Sequence, residues 1–317
     1  MPRILLVKTS SLGDVVHNLP VASDIQAAVP GAEMHWVVEE AFAAIPKMHP
    51  AVSRVVPVAL RRWRKTGCAR DTCREIASFV QALRATRYDA VIDTQGLLKS
   101  ALITRAALGR RYGLDWKSSR EPLRLFYHQT FNIPRDRHAV ERNRSLAAQA
   151  LRYAIPAQAH YAISAPRANF AWLPMTNYAV FMHATSGTEK LWPEERWIAL
   201  GAALAQQGVR AVLPWGTEEE CHRSERLARR IPGALTPPRL GLQDLASVLA
   251  HSQCAVGVDT GLTHLAGALG GPTVGIYTAT DPAATGLHAC AQARSVGSAR
   301  GMPSVDEVMQ ALRQLQS

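Results

Sequence analysis

Residues 256–277 read VGVDTGLTHLAGALGGPTVGIY. An apolar run ends at Asp259, Thr260 and Gly261 turn the chain, and a helix of small residues leads into a second apolar run, TVGIY (273–277). Two short strands separated by one helix-length segment pair in parallel, because the helix carries the chain back across the sheet. The same pattern extends outward. Before it stand YAVFMHA (178–184), VRAVLPW (209–215) and CAVGVD (254–259), with helical patterns near 193–207, 218–230, 242–251 and 262–269. After it, SVDEVMQALRQLQS (304–317) reads as an amphipathic helix.

The first half repeats the arrangement. Strand patterns are ILLV (4–7), EMHWVVE (33–39), RVVPV (54–58) and DAVIDTQ (89–95), and helical ones cover 15–28, 71–86 and 97–108. Two such series, joined near 154–174, predict an α/β chain of two Rossmann-like domains, residues 1–165 and 166–317, facing each other across a cleft. The last helix is free in this reading to pack back on the first domain.

Composition bounds the function. A chain that is 47% hydrophobic and 19% charged is globular. No apolar run approaches the ~18 residues of a membrane span. The run ILLV is too brief, and too soon interrupted by Lys8, for a signal peptide. The five cysteines, at 68, 73, 221, 254 and 290, lack metal-site spacing and read as reduced thiols of a cytoplasmic protein. The net charge of +11 is unevenly held: residues 1–160 carry 24 Lys/Arg against 13 Asp/Glu, and residues 161–317 carry 12 of each. A basic first half calls for an anionic partner, whether nucleic acid, anionic lipid or an acidic glycolipid.

No G-x-G-x-x-G follows the first strand and no G-x-x-x-x-G-K-[ST] occurs, so dinucleotide and P-loop readings lose their mechanical support. Anion-binding turns stand elsewhere. HATSGTEKLWPEERW (183–197) leaves a strand, passes Thr185, Ser186 and Lys190, and enters a helix with Pro193 in its first turn. Turn-forming hydroxyls and a solvated lysine explain it equally well. In the opening segment, Asp259 reads as a helix cap and His264 as a core histidine, yet Gly261 permits close backbone approach and the helix start offers unpaired amides. Two such turns in one domain favour a pyrophosphate ligand. Between them, Glu220 of LPWGTEEE (213–220) suits ribose hydroxyls, although an acidic helix N-terminus is its plainer role. KTSSLGD (8–14) is an active-site loop at a strand's carboxyl end, or a local turn that Asp14 caps.

Taken together, KTSSLGDVVHNLP (8–20), WVVEEAF (36–42), RRWRK (61–65), YDAVIDTQGLLKSA (88–101), DWKSSREPL (115–123), HAVERNR (138–144), KLWPEERW (190–197), LPWG (213–216) and VDTGLTHLAGAL (258–269) carry a family likeness. The chain resembles the ADP-heptose:lipopolysaccharide heptosyltransferases of glycosyltransferase family 9 over nearly all its length. RRWRK and SSREPL resemble the type I enzymes. Two mild departures are Ser186, where a second threonine is expected, and Leu240, where a methionine is usual.

The resemblance implies a GT-B architecture with an acceptor-binding N-terminal and a donor-binding C-terminal domain. It implies inverting transfer of L-glycero-D-manno-heptose from ADP-heptose to Kdo2-lipid A, without metal or other cofactor and without a nucleic-acid partner. By motif match, Asp14 is the general base and Lys190 the catalytic cation. Thr185, Ser186, Lys190, Glu220, Leu240, Asp259, Thr260, Gly261 and His264 form the donor site. Arg61, Arg62, Arg64 and Lys65, with Trp63 among them as an interfacial aromatic, and Lys99 and Arg120 meet the acceptor and the anionic inner-membrane surface. The protein is then peripheral on the cytoplasmic face of that membrane. Two alternatives stand beside this reading: a relative adding a later core heptose (type II or III), and a non-catalytic nucleotide-sugar or lipid A binding protein.

Overall fold

Strand β1 (Arg3–Val7) has four consecutive buried apolar residues, Ile4 to Val7. A strand covered on both faces belongs in the middle of a parallel sheet. The computed structural model describes residues 1–67, 69–173, 177–299 and 301–316. The chain divides into two compact units, Met1–Ala162 and Ile163–Ser317. Cys68 and Ser317, included in the sequence reading, lie outside the described residues.

In the first unit, β1 is joined by β2 (Glu33–Glu39), β3 (Val52–Val58), β4 (Arg87–Asp93), β5 (Leu108–Leu114) and β6 (Gln129–Phe131). Their order is β3-β2-β1-β4-β5-β6 and every pair is parallel. Pro57 cannot donate to a ladder and sits on β3, an edge strand, where this costs least. Leu5, Val7, Val37, Val91 and Ile103 form the core between sheet and helices. The order reverses between β1 and β4, the point at which such sheets bind ligands beyond their strand ends.

The second unit is built from β7 (Tyr178–Met182), β8 (Arg210–Val212), β9 (Cys254–Val258), β10 (Thr273–Tyr277) and β11 (Ala293–Gly297), in the order β11-β10-β9-β7-β8, again all parallel. Its reversal lies between β7 and β9. Trp192 and Trp197 meet edge to face at 5.1 Å in its core, beside Phe181. Truncating an aromatic so placed costs about 3–5 kcal/mol. The last helix, Val305–Gln316, packs on β10, β11 and the helix Glu194–Gln206 of its own unit, burying Val308, Leu312 and Leu315 there.

All eight strands read from the sequence are present. Three more, β5, β6 and β11, were not legible in it: β6 and β11 are edge strands, and β5, next to β6, has only its last three residues buried. The single helix expected over 15–28 is two, Leu12–Val16 and Leu19–Ala28, parted at His17–Asn18. The helix Ala139–Leu151 also went unread, because its buried face includes Asn143 and Arg144. The Arg144 guanidinium donates to both Asp24 oxygens, at 2.8 and 3.2 Å, and to the Pro156 carbonyl. It thereby ties two helices to the end of the unit.

Candidate functional site

In the first unit the site grows from the loops after β1 and β4, the two strands at the reversal. Asp93, the last residue of β4, accepts from the Gln95 and Gly96 amides and from the Tyr127 hydroxyl. That tight turn needs the positive φ of Gly96 (67°). The Gln95 side chain then accepts from the Thr9 and Ser10 amides, fastening the first loop to the second.

Asp14 stands on this frame. Its Oδ2 accepts from the Ser11 amide at 2.8 Å and hydroxyl at 3.0 Å, so it does cap the helix Leu12–Val16. Its Oδ1 faces Lys8 at 3.9 Å, and the side chain remains 42% exposed. Lys8 itself is buried and donates to the Thr94 carbonyl. Burial pulls the Lys8 pKa down, against the opposing pull of Asp14 and Asp93. Lys99 donates to the Ser10 hydroxyl at 2.6 Å. Arg120 and Arg142 are within electrostatic reach of Lys8. The structure thus brings Asp14, Lys99 and Arg120 together as expected residues and adds Lys8 and Arg142. Lys8 was in the quoted motif but was read only as the end of a strand; its neighbourhood with Asp14 depends on how the loop closes. Arg142 belongs to the helix the sequence hid.

The RRWRK segment forms most of a helix, Leu60–Thr66, that follows β3. Its residues divide. Arg61, Arg64 and Lys65 are exposed, with the Arg61 guanidinium 4.9 Å from the Phe42 ring centre. Arg62 is held by Glu40 and Glu75, the latter at 2.7 and 2.8 Å. Trp63 is half-buried, donates to Glu75 at 2.7 Å and packs edge-on to Phe79. Arg62, its side chain still 48% exposed, and half-buried Trp63 thus also hold this helix against the helix Arg70–Arg84.

In the second unit the loops after β7 and β9 converge on Asp259. Its Oδ2 accepts from Lys190 and from the Thr280 hydroxyl, both at 2.8 Å, and its Oδ1 lies 3.6 Å from His264 Nε2. The Thr185 hydroxyl donates to the Asp259 carbonyl at 2.9 Å. Burial alone would raise the Asp259 pKa, but the bonds from His264, Lys190 and Thr280 outweigh it and hold the carboxyl well below the usual range. Thr260, not Asp259, holds the N-cap position of the helix Gly261–Ala268, without a side-chain cap bond, so the first amides of that helix remain at its start. Lys190 ends a 3-10 turn, Thr188–Lys190, and Pro193 is the cap of the helix Glu194–Gln206 rather than part of its first turn. Ser186 is exposed in the same loop.

Glu220 and Leu240 occupy neighbouring elements. The Glu220 carboxylate accepts from the Gly216 and Thr217 amides, the capping-box role of its helix, Glu218–Arg230. Leu240 is half-buried just before the helix Leu242–Ala250. Thr280 is the one member of the Asp259 cluster the sequence reading missed, since nothing in TATDP distinguishes it from a turn residue.

The sequence model of glycosyltransferase family 9 (heptosyltransferase) matches residues 76–312. The chain belongs to this family. As a family 9 glycosyltransferase it is 48% identical over 287 residues to Lipopolysaccharide heptosyltransferase 1 of Escherichia coli (strain K12), covering 90% of each chain. The solved structure of E. coli heptosyltransferase WaaC with ADP matches at a TM-score of 0.90 and 43% identity over 99% of both chains. WaaC with ADP-2-deoxy-2-fluoro heptose matches at 0.86 and 43% over 98% of this chain and 99% of the other. The fold is thus the GT-B fold of family 9 heptosyltransferases.

Proposed function

We propose that this protein transfers L-glycero-D-manno-heptose from ADP-heptose to a Kdo sugar of Kdo2-lipid A, with inversion, in lipopolysaccharide inner-core synthesis. The observation that carries the reading is the Asp259–Lys190–Thr280 cluster at the β7/β9 reversal, in a chain so similar to an enzyme solved with ADP and with an ADP-heptose analogue.

In this mechanism Asp14 Oδ1 takes the proton of the acceptor hydroxyl as that oxygen attacks the anomeric carbon. The carbon–oxygen bond to ADP breaks on the opposite face, so one displacement inverts the centre and no second carboxylate nucleophile is required. The bonds from Ser11 hold Oδ2 and leave Oδ1 to the substrate. On the donor side Lys190 has three donors and gives one to Asp259, which keeps the ammonium aimed while two remain for the departing diphosphate. Amides at the start of the helix Gly261–Ala268 add to that stabilisation. Thr185, Ser186, Thr260, Gly261 and His264 line the donor's phosphates and sugar, and Glu220 and Leu240 flank its nucleoside. Lys8, Lys99, Arg120 and Arg142 offer the positive field that the Kdo carboxylates need.

Arg61, Arg64 and Lys65 extend the acceptor surface toward the lipid phosphates, and the protein works at the cytoplasmic face of the inner membrane. Among the described residues no helix is long and apolar enough to cross a membrane. Purified protein given ADP-heptose and Kdo2-lipid A should release ADP and glycosylate the Kdo. Binding of both ligands without ADP release would make it a binding protein, and ADP release only with an acceptor that already carries heptose would make it a later-acting relative.

A further inference from the structure

Most large apolar side chains of the first unit are buried, but four lie in the open on the segments that follow β4 and β5. Leu98 and Leu102 are exposed one turn apart on the helix Leu98–Ala106, so they share a face. The opposite side of that helix is buried through Ser100, Ile103 and Thr104, and Ala101, on its flank, packs with Leu123 and Tyr127. Leu125, 94% exposed, projects from the 3-10 turn Arg124–Phe126 that packs on the same helix. Trp116, 66% exposed, lies in the turn just past β5. Glu121 accepts from the Leu98 amide and so pins the 115–126 segment to the start of the helix. Leu98 and Trp116 therefore leave the sheet at the same carboxyl edge as Asp14.

Charge surrounds this apolar group in one sign. Residues 98–126 contain seven Lys/Arg and only Asp115 and Glu121 as acids. Both acids are turned inward, Asp115 onto Ser118 and Asn132 and Glu121 onto the Leu98 amide. Lys117 sits over the Trp116 ring at 5.4 Å, and Arg120 and Arg124 are exposed. Contiguous exposed apolar groups mark an interaction site. A rim of cations around leucines and a tryptophan matches an anionic bilayer surface, where the ring sits at headgroup level, the leucines enter the acyl boundary and the cations meet phosphates. A second copy of this chain fits worse, because a symmetric contact would set the two basic rims against each other.

We propose that Leu98, Leu102, Trp116 and Leu125 form a membrane-inserting surface that seats the protein on anionic phospholipid with the Asp14 edge toward the bilayer. This rests on the heptosyl-transfer reading for its purpose but not for its test. Vesicles of phosphatidylethanolamine and phosphatidylglycerol, free of acceptor and sugar nucleotide, are mixed with the protein and sedimented. The parent should bind them, and bind neutral phosphatidylcholine vesicles far less. The Leu102→Ser, Trp116→Ser, Leu125→Ser triple variant should lose at least about tenfold in vesicle affinity, as expected when apolar insertion is removed. A Leu102→Ile, Trp116→Phe pair, which keeps the surface apolar, should bind nearly as the parent does and guards against misfolding as the cause. With a water-soluble deacylated acceptor, turnover by the triple variant should match the parent. With acceptor embedded in vesicles its KM should rise. Parental vesicle affinity in the triple variant, or no anionic-vesicle binding by the parent, overturns the proposal. So does a concentration-dependent self-association that the triple variant abolishes while vesicle binding persists, which would make the patch a dimer contact. A protein that binds vesicles as described but never releases ADP would refute the transfer reaction and leave this surface standing.

Discussion

Two aspartates, one beside the reversal of each sheet, have opposite surroundings. Asp14 follows β1 and Asp259 follows β9, each beside the reversal of its sheet and each with a lysine next to it. Asp259 is 9% exposed and surrounded by Lys190, Thr280 and His264, so it stays an anion and acts by aiming its neighbours. Asp14 is 42% exposed, one oxygen held by Ser11 and the other facing Lys8 at 3.9 Å. A carboxylate that must gain a proton needs an uncommitted oxygen; one that must position a cation needs the reverse. The same residue type beside a sheet reversal is thus given to chemistry in one unit, after the first strand β1, and to scaffolding in the other, after the crossed-over strand β9.

That contrast can be broken by substitution. The largest effect expected is from Asp14→Asn, which keeps the bonds to Ser11 but removes the proton acceptor: turnover should fall roughly 10²–10⁴-fold. Near-normal turnover would leave Asp14 as a helix cap only. Lys190→Ala should lower turnover by about 10²–10³-fold, the scale for losing one preorganised group at a developing charge, and should also weaken donor binding, which calorimetry with ADP would reveal. Replacing Arg61, Arg64 and Lys65 by Ser should raise the acceptor KM while donor affinity stays put; unchanged acceptor kinetics would move the acceptor surface elsewhere on the first unit.

Stability offers smaller tests. Arg144→Ala strands the buried Asp24 carboxylate and should cost about 3–5 kcal/mol in denaturant unfolding. His49 is buried, accepts from the Ala51 amide and bonds Ser23, and burial lowers its pKa to about 4. Between pH 4 and about 6.5 the unfolded chain then binds the extra proton, so stability rises with pH across that window and is lost on acidification. His49→Gln should flatten the fall in Tm between pH 7 and pH 5; an unaltered slope would place the acid sensitivity elsewhere. The smallest effect is expected from excess chelator, which should leave turnover as it was. Loss in EDTA restored by Mg²⁺ would contradict a leaving group stabilised by Lys190 and amides alone.

The legibility of the sequence followed burial. Strands with continuous apolar runs, such as β1, β7, β9 and β10, announced themselves, but their order, and with it the two reversals, came only from the fold. β5, beside the short edge strand β6, could not: in LGRRYGL the arginines and glycines break every apolar period. The helix carrying Arg142 and Arg144 was hidden because charge, not hydrocarbon, fills part of its buried face. Among the candidate site residues, those adjacent in sequence to a strand end were readable. Lys8 and Thr280 were not singled out, since only the folded loop shows which carboxylate each approaches. In RRWRK composition alone does not show that, among the described residues, Arg62 pairs with two glutamates while Arg61, Arg64 and Lys65 do not.

The division of labour between the two aspartates is tested most directly by measuring ADP-heptose affinity and turnover on Asp14→Asn and Asp259→Asn side by side. The account predicts a split: Asp14→Asn binds the donor as the parent does and fails in turnover, whereas Asp259→Asn, with Lys190 no longer held at 2.8 Å, loses donor affinity as well. Weakened donor binding in Asp14→Asn together with parental binding in Asp259→Asn would contradict it.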